Sequence, residues 1–441
     1  MTRTPPKIRA ADVRAPLFYG WVVALVFWFA YGVLMGFPVY AVPVINPYLV
    51  KALSLDRETL AIMMGAFSTA AGLLAPAASL LVKRFGSRIT LLVYCGTMLA
   101  ASLCVATWVR TGWQAALCYG VLAASTTGSA VACQSTVARW FVRRRGFVMA
   151  AVVAGAAMLG SLLTFVLPHL IAADGWQAAW WLAAALAIAA SIVVAAFVKE
   201  TPAEVGRYPD GASHPPVAAN NTGSFAVQQT LEHWTIDDAV RTKAIWLIIV
   251  FGQASLLGQA LFFAHAVVHL RDLAFPVQTA AMIVSVFAIS TLTGKILSGL
   301  VADHIEPRVV NGLAFVMFGL GLMLLIHPGN AAMIAVAGAC IGIPVGAMAV
   351  CEPLLVSNYY GATVFPLLLG LRSFVSAPLG ALVSVIAGWW FDRTGSYTVA
   401  FGVAAGLLVI SGIALIALVR PPRRQASAIE MPHAAPTLSG E

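Results

Sequence analysis

Charged residues are scarce in this chain of 441 residues. Only 10% of its residues are Asp, Glu, Lys or Arg and 61% are hydrophobic, whereas ordinary soluble domains have about 25% charged and roughly 45–50% apolar residues. This composition excludes a water-soluble globular protein, because the apolar residues must contact lipid or each other. A spanning helix takes ~20 residues, so the length predicts about a dozen spans and leaves no room for a large domain outside the membrane.

Several chemical motifs are also missing. The six cysteines lie inside apolar runs at irregular spacings, without a C-x-x-C motif, which favours small buried side chains over a disulfide framework or a metal site. The sequence has no phosphate-binding loop, metal-ligand cluster or nucleophile elbow. We therefore expect neither an enzyme nor an ATP-driven pump, and we expect no cofactor and no bound metal.

What the chain does contain is a series of apolar runs. They are continuous over 19 residues or more, which is typical of helices rather than of the alternating strands of a membrane β-barrel. The sequence thus predicts an all-α membrane protein with twelve transmembrane helices, near residues 18–45, 58–82, 89–109, 113–137, 146–170, 177–198, 244–270, 277–301, 309–327, 331–356, 365–390 and 397–419. The first run is longer than a signal-peptide core and no A-x-A site follows it, so we expect this helix to be retained.

The two halves of the chain repeat each other. SLLVKRFGSR at 79–88 matches GLVADHIEPR at 299–308, and GSAVACQ at 128–134 matches GAMAVCE at 346–352, with offsets of 220 and 218 residues. A duplicated unit of six spans is typical of transporters whose halves move about a central site. The sequence predicts two pseudo-symmetric six-helix bundles, a connecting linker and two tails, at 18–198, 244–419, 199–243, 1–17 and 420–441.

The basic residues are distributed unevenly between the two sides of the predicted membrane. Nineteen lysines and arginines fall in the tails and loops on one side and five on the other. By the positive-inside rule both termini are cytoplasmic. The net charge of +9 mostly reflects this bias, so we do not expect a nucleic-acid partner.

The linker is a clear shift in composition, because several prolines, two asparagines and a glycine interrupt the apolar pattern. Near its end, Thr235-x-x-Asp238 is similar to a capping box and predicts a short amphipathic helix. We interpret the linker as a connection between the halves. A regulatory docking site is the alternative.

GLVADHIEPR resembles the loop motif of the major facilitator superfamily, with Gly299, Asp303, His304 and Arg308 in the motif positions. WFVRRRGFVMAAVVAGAAMLG, from residue 140, resembles the motif that leads into the fifth helix of monocarboxylate transporters. YGWVVALVFWFAYG, from residue 19, and DRTGSY, from residue 392, resemble their bacterial relatives, including the oxalate/formate antiporter group.

The resemblance implies the major facilitator fold in a bacterial-type inner membrane. It also implies secondary transport of a small organic anion, a monocarboxylate, by proton symport or anion exchange. The alternatives are an exporter of drugs or aromatic compounds with the same fold, and a membrane receptor that senses an anion without transporting it. The sequence departs from the family twice: Lys83 stands where the first-half motif has Asp, and Thr291 stands where monocarboxylate transporters have an acidic residue.

The loop motif suggests a gate. Asp303 should face the positive N-terminal end of the helix that begins near Gly146 and so hold the cytoplasmic side closed; the alternative is an Asp that only terminates its own helix. We group Arg308 and Arg143 with Asp303 as gating residues. Because Lys83 cannot act as the corresponding anion, we expect the first-half latch to be weak or rewired.

Few ionisable residues lie well inside the predicted spans; Lys295, Glu352 and Arg372 do, and each is costly there and a functional candidate. Lys295 occupies the position of the helix-eight arginine of monocarboxylate transporters, and Arg372 is similar in position to a second cation of the oxalate/formate exchanger. With Glu352 the group carries one excess positive charge, which a carboxylate substrate would pair, and Glu352 is the candidate proton carrier. Alternatively, Glu352 and Arg372 form a structural ion pair and Lys295 extends to the inner surface.

Further polar candidates are Gln134 and Tyr119 for substrate binding and His265 for proton coupling at the outer mouth. A hydrogen-bonding structural histidine is the alternative for His265. We expect the partners to be the anion, protons or a counter-anion, and the lipid bilayer. The G-x-x-x-G patterns from Gly32 and Gly342 favour helix contacts within a bundle over dimerisation, so we expect a monomer.

Overall fold

The structure is a computed structural model that describes residues 18–55, 57–212, 227–230, 232, 234–394 and 397–422. The predicted tail 1–17, part of the linker and most of the tail 420–441 lie outside the described residues. The main helices are α1 (Gly20–Tyr31), which continues through a π-helical stretch (Gly32–Ala41) into α2 (Val42–Leu53), then α3 (Arg57–Leu73), α4 (Ala75–Thr107), α5 (Gly112–Trp140), α6 (Arg145–Asp174), α7 (Trp176–Phe197), α8 (Ile236–Arg241), α9 (Lys243–Asp272), α10 (Val277–Val301), α11 (Pro307–Ile326), α12 (Ala331–Thr394) and α13 (Thr398–Leu418).

Ten helical segments of the described residues are long and apolar enough to cross a membrane. Two of the helices contain a glycine with positive φ, at which the chain leaves the helical conformation: Gly86 in α4 (φ 81°) and Gly361 in α12 (φ 74°). Only glycine adopts this backbone region readily. Helix α3 and the start of α4 form the second crossing, the rest of α4 forms the third, and the two limbs of α12 form the tenth and eleventh. The described chain thus makes the twelve predicted crossings.

Each bundle has its own aromatic core. In the first bundle the buried ring of Phe37 lies 5.6 Å from that of Trp180. The second bundle buries Phe315, Phe318 and Phe401 completely. The packing confirms the expected helix contacts within each bundle: a Cβ on Gly36 would stand 2.7 Å from the carbonyl oxygen of Ala156, and one on Gly342 would stand 2.5 Å from that of Phe287.

We call the end of the molecule that carries α8 and the junction between α5 and α6 the linker side, and the other end the opposite side. The two bundles contact each other near the linker side through α6 and α10 and through α4 and α12. A Cβ on Gly299 would overlap the side chain of Ala150, and one on Gly370 would overlap that of Ser79. Glycine at these positions lets helices of different bundles approach closely.

The short helix predicted near the end of the linker is present as α8 (Ile236–Arg241). The Thr235 hydroxyl accepts a hydrogen bond from the Asp238 amide (3.2 Å). This is the N-cap geometry that the sequence predicts.

Candidate functional site

A buried ion pair joins the two limbs of α12. An Arg372 Nη atom lies 2.5 Å from Glu352 Oε2, and the glutamate is 3% exposed. Glu352 lies nine residues before the break at Gly361 and Arg372 eleven after it, so the pair is about 14–16 Å from the linker side. The contact is therefore a charge-assisted hydrogen bond within the membrane-spanning part of the second bundle.

The pair leaves hydrogen-bonding capacity unused. Among the described residues, Glu352 Oε1, Arg372 Nε and Gln253 Oε1 are buried atoms without a hydrogen-bond partner. Gln253 Nε2 donates to the carbonyl oxygen of Ile249 (2.8 Å) and to the Ser376 hydroxyl (3.1 Å). Because a carbonyl only accepts, the Ile249 contact fixes the amide orientation and makes the unused Gln253 atom an acceptor.

Glycine brings α9 against this pair. A Cβ on Gly252 would stand 2.7 Å from Glu352 Oε1 and 3.9 Å from Arg372 Nε. Any larger residue would press on the free carboxylate oxygen. The site is thus built by helix α9 and both limbs of α12.

The helix limb that carries Arg372 borders the first bundle. Gly370, two residues before Arg372, meets Ser79, and Ala377, five residues after it, meets Gly72. Arg372 is therefore flanked along its limb by two contacts between the bundles. Its side chain is 23% exposed, in contrast to the buried glutamate.

Lys295 lies on α10, one turn before Gly299, where this helix meets the first bundle. It is 5% exposed, and among the described residues no hydrogen bond or ion pair of its side chain is recorded. Its backbone nitrogen lies 2.8 Å from the position of a Cβ on Gly346, so α10 and α12 cross closely there. An ammonium in such surroundings lacks the partner that a buried charge requires.

In sum, among the described residues the second bundle holds two cations, Lys295 and Arg372, and one anion, Glu352, well inside its membrane-spanning part. The Glu352 charge is already used by Arg372, and Lys295 is left without a counter-charge among the described residues. A small anion would balance this excess, and its oxygens would accept from the guanidinium of Arg372, whose Nε has no partner among the described residues. The arrangement is a candidate anion site.

The contact expected for Asp303 is present. Its Oδ1 accepts from the Gly146 amide (2.7 Å) and its Oδ2 from the Phe147 amide (3.1 Å), both in the first turn of α6, where backbone amides have no partner within the helix. Burial raises the pKa of the Asp303 carboxyl, and the two amides partly oppose this shift. The carboxylate joins the second bundle to the first at the linker side.

The arginine at this interface is Arg145. It is 7% exposed and donates to the carbonyl oxygens of Phe141 (3.0 Å) and Ala138 (2.9 Å) and, across the bundles, to Asn358 Oδ1 (3.0 Å). Arg145 is one of the basic loop residues counted above and was not among our gating candidates. The feature of the sequence that could have indicated Arg145 is its position directly before Gly146, near which the fifth crossing begins.

The structure places the two arginines that we did select for gating elsewhere. Arg143 is exposed, and its backbone amide donates to Asp210 (2.9 Å). Arg308 donates to the carbonyl oxygen of Val419 (2.7 Å), so this contact lies within the second bundle. Neither of these contacts joins the two bundles.

A family model described as the Major Facilitator Superfamily matches residues 20–270 and 254–439. The chain belongs to the major facilitator superfamily. Among curated relatives, monocarboxylate transporter 13 of Bos taurus is 25% identical over 411 residues, which are 91% of this chain and 89% of the relative.

Two solved structures show the same fold at low sequence identity. The proton:xylose symporter XylE has a TM-score of 0.68 at 12% identity, with 91% of this chain and 96% of that chain covered. The human organic anion transporter MFSD10 has a TM-score of 0.65 at 14% identity, with 90% and 99% covered. This chain is thus a transporter of the superfamily, with its fold in common with these proteins.

In the first half of the chain, Glu200, which lies outside the loop motif, caps the start of a helix in place of a motif carboxylate. The Glu200 carboxylate accepts from the Arg88 amide (2.6 Å) and pairs with Arg139 (3.2 Å). It thereby caps the start of the third crossing, within the first bundle. Lys83 is exposed nearby, so an acidic residue beyond the motif takes over the helix N-terminus.

Tyr119 and Gln134 differ in their surroundings. Tyr119 is fully buried, donates to Asn46 Oδ1 (2.6 Å) and packs its ring 5.9 Å from that of Trp180. It therefore belongs to the core of the first bundle rather than to the surroundings of the Glu352–Arg372 pair. Gln134 is 6% exposed, and no side-chain hydrogen bond is recorded for it among the described residues. Of the two, Gln134 keeps free polar groups for a ligand.

His265 lies at the opposite end of the second bundle. Its ring centroid is 4.6 Å from that of Tyr397. One turn further, His269 lies within hydrogen-bonding distance of the carbonyl oxygens of Leu325 (3.2 Å) and Ile326 (3.1 Å). Because these carbonyls belong to the last two residues of α11, His269 caps the C-terminal end of that helix. His265, one turn before His269, stacks on the ring of Tyr397.

Proposed function

We propose that the protein is a secondary active transporter that moves a small organic anion, a monocarboxylate, across a bacterial-type inner membrane by alternating access. The observation that carries this proposal is the incomplete ion pair between Glu352 and Arg372 together with the buried Lys295. Two cations and one anion in a low-dielectric region favour the entry of one more negative charge.

Transport is coupled to protons through Glu352. With no substrate bound, Arg372 stabilises the ionised carboxylate. When a substrate carboxylate takes over the guanidinium, Glu352 loses its counter-charge, and a buried carboxylate without a partner takes up a proton. Substrate and proton then bind together, and this gives symport. Exchange of one anion for another requires no change at Glu352.

The curated relative named monocarboxylate transporter 13 supports the substrate class. The uneven loop charges support an orientation with the linker side and both termini in the cytoplasm. In that orientation, Asp303 and Arg145 hold the cytoplasmic side closed while the substrate enters from outside.

Uptake by the purified full-length protein in proteoliposomes tests this proposal. We expect labelled lactate, oxalate or formate to accumulate, and for symport to do so only with a pH gradient. Anion binding without flux would instead identify a receptor. Indifference to carboxylates, with efflux of apolar or aromatic compounds, would identify an exporter and contradict the proposal.

A further inference from the structure

The pseudo-symmetry of the chain predicts two latches at the linker side, one from each bundle, and the carboxylate of the first bundle is missing. Asp303 of the second bundle holds the start of α6 in the first bundle. The repeat places Lys83 at the position corresponding to Asp303, and this residue cannot accept from helix amides. Glu200, which caps a helix in its stead, acts within the first bundle.

Linker residues lie where the second latch would act. The helix that corresponds to α6 is the second limb of α12, which begins after Gly361. The carbonyl oxygen of Glu232 and the Thr230 side chain lie 3.6 and 3.8 Å from the position of a Cβ on Gly361. The linker thus covers the start of this limb.

We call residues 227–230 the strap, because they bond to both bundles. The backbone amides of Gln228 and Thr230 donate to Glu306 Oε2 and to the carbonyl oxygen of Asn358, both at 2.8 Å. The Gln229 side chain, between them, donates in the other direction to the carbonyl oxygen of Val142 (3.1 Å). The bonds to Glu306 and Asn358 therefore hold the second bundle, and the Gln229 bond holds the loop before α6 of the first.

The anchors in the second bundle are rigid. Glu306 and Asn358 are each 1% exposed. Beyond the strap, Trp234 is 4% exposed and its ring lies 5.3 Å from that of Tyr360, whose hydroxyl hydrogen-bonds to Thr242 (2.6 Å). Because the chain is fixed on both sides of Gln229, the Val142 contact cannot be kept by local movement if the bundles separate.

We propose that the strap is a second latch, which holds the linker side closed in place of the missing first-half carboxylate. When the linker side opens, Val142 and Asn358 move apart and the Gln229 bond must break. The linker therefore sets the equilibrium between the closed and open linker side, beyond joining the two halves.

Hydrogen–deuterium exchange of the full-length protein tests this without any substrate. The reporters are the Gly146 and Phe147 amides, which are protected by Asp303 only while the linker side is closed. In Gln229→Ala we expect about fivefold faster exchange, the factor that loss of one ordinary hydrogen bond gives. The matched control is Gln278→Ala, an exposed glutamine at the opposite side, which should exchange like the parent.

A double variant separates a strap from local loosening of the loop before α6. Thr230→Pro removes the bond to Asn358, which anchors Gln229 on the second bundle and affects the interface only while Gln229 is bound to Val142. Adding it to Gln229→Ala should leave the exchange rate unchanged. Exchange in Gln229→Ala equal to that of the parent, or a double variant several-fold faster than Gln229→Ala, would overturn the proposal. Failure of carboxylate uptake would not affect this result.

Discussion

Glu352 and Arg372 are joined across the two limbs of one broken helix, and neither side chain is saturated. Glu352 keeps one oxygen and Arg372 its Nε without a partner among the described residues. A purely structural ion pair gains most when all its polar atoms are satisfied. The unused atoms are what a substrate and a proton would engage.

Lys295 supplies the excess charge on which anion binding depends. We expect Lys295→Gln to weaken binding of labelled lactate by the purified protein at least tenfold, since a hydrogen bond to a charged group contributes about 1.5–3 kcal/mol. Lys295→Arg should retain part of the binding. Lys51→Gln, an exposed lysine at the opposite side, is the control. Unchanged affinity in a folded Lys295→Gln protein would remove this residue from the site.

A double-mutant cycle distinguishes a functional pair from a structural one. Removing one partner of a buried pair costs ~3–5 kcal/mol, and removing both relieves most of that cost. We expect Glu352→Gln combined with Arg372→Gln to recover thermal stability without recovering transport. Both quantities need to be measured on the same four proteins. A double variant that transports like the parent would show that the pair is structural only.

The sequence predicted the fold because hydrophobic runs and the repeat with offsets of 218 and 220 residues are local or periodic signals. The contact of Asp303 with the start of α6 followed from the loop motif in the same way. The arginine that joins the two bundles did not follow, because Arg143, Arg144 and Arg145 are identical in type. Only the packing shows that Arg145 is buried against Asn358.

Tyr119 illustrates a second limit of the sequence. A tyrosine in an apolar helix serves a cavity or a core equally well, and its Asn46 partner lies 73 residues away in the chain. The strap is a third case, since the bonds from residues 228–230 go to the loops at Glu306 and Val142 and to Asn358 in α12, which no local pattern connects. Contacts between segments distant in sequence decide these roles.

Asp303→Asn should shift the molecule towards an open linker side. The variant removes the negative charge at the start of α6, a contribution of ~1 kcal/mol, so we expect the ratio of closed to open molecules to fall roughly fivefold. Spin labels at the exposed positions Arg84 and Arg420 report the separation of the bundles. Asp174→Asn, at the opposite side, is the control. An unchanged distance distribution in Asp303→Asn would show that the contact does not hold the interface.

Glu306 makes stability depend on pH. Burial raises the pKa of its carboxyl above the ordinary value of 4.5, against the opposing effects of the Gln228 amide, Tyr359 and Arg308. Between 4.5 and the raised value the native protein keeps a proton that the unfolded chain has released. The free energy of unfolding therefore falls as pH rises through that window.

Glu306→Gln has no such titration, so the pH dependence of its thermal unfolding should be shallower than that of the parent. Glu204→Gln, at an exposed glutamate, is the control for the loss of one carboxylate from the protein. Equal slopes in the parent and Glu306→Gln would contradict the role assigned to burial.

The central claim, that Glu352 carries the coupled proton, is tested most directly by comparing two assays of Glu352→Gln in proteoliposomes. Glutamine keeps the shape of the side chain but cannot ionise, so we expect exchange of internal for external labelled lactate to continue at a rate near that of the parent. Accumulation of lactate driven by a pH difference alone should be abolished. If the variant still accumulates lactate against its gradient on a pH difference, Glu352 is not the proton carrier.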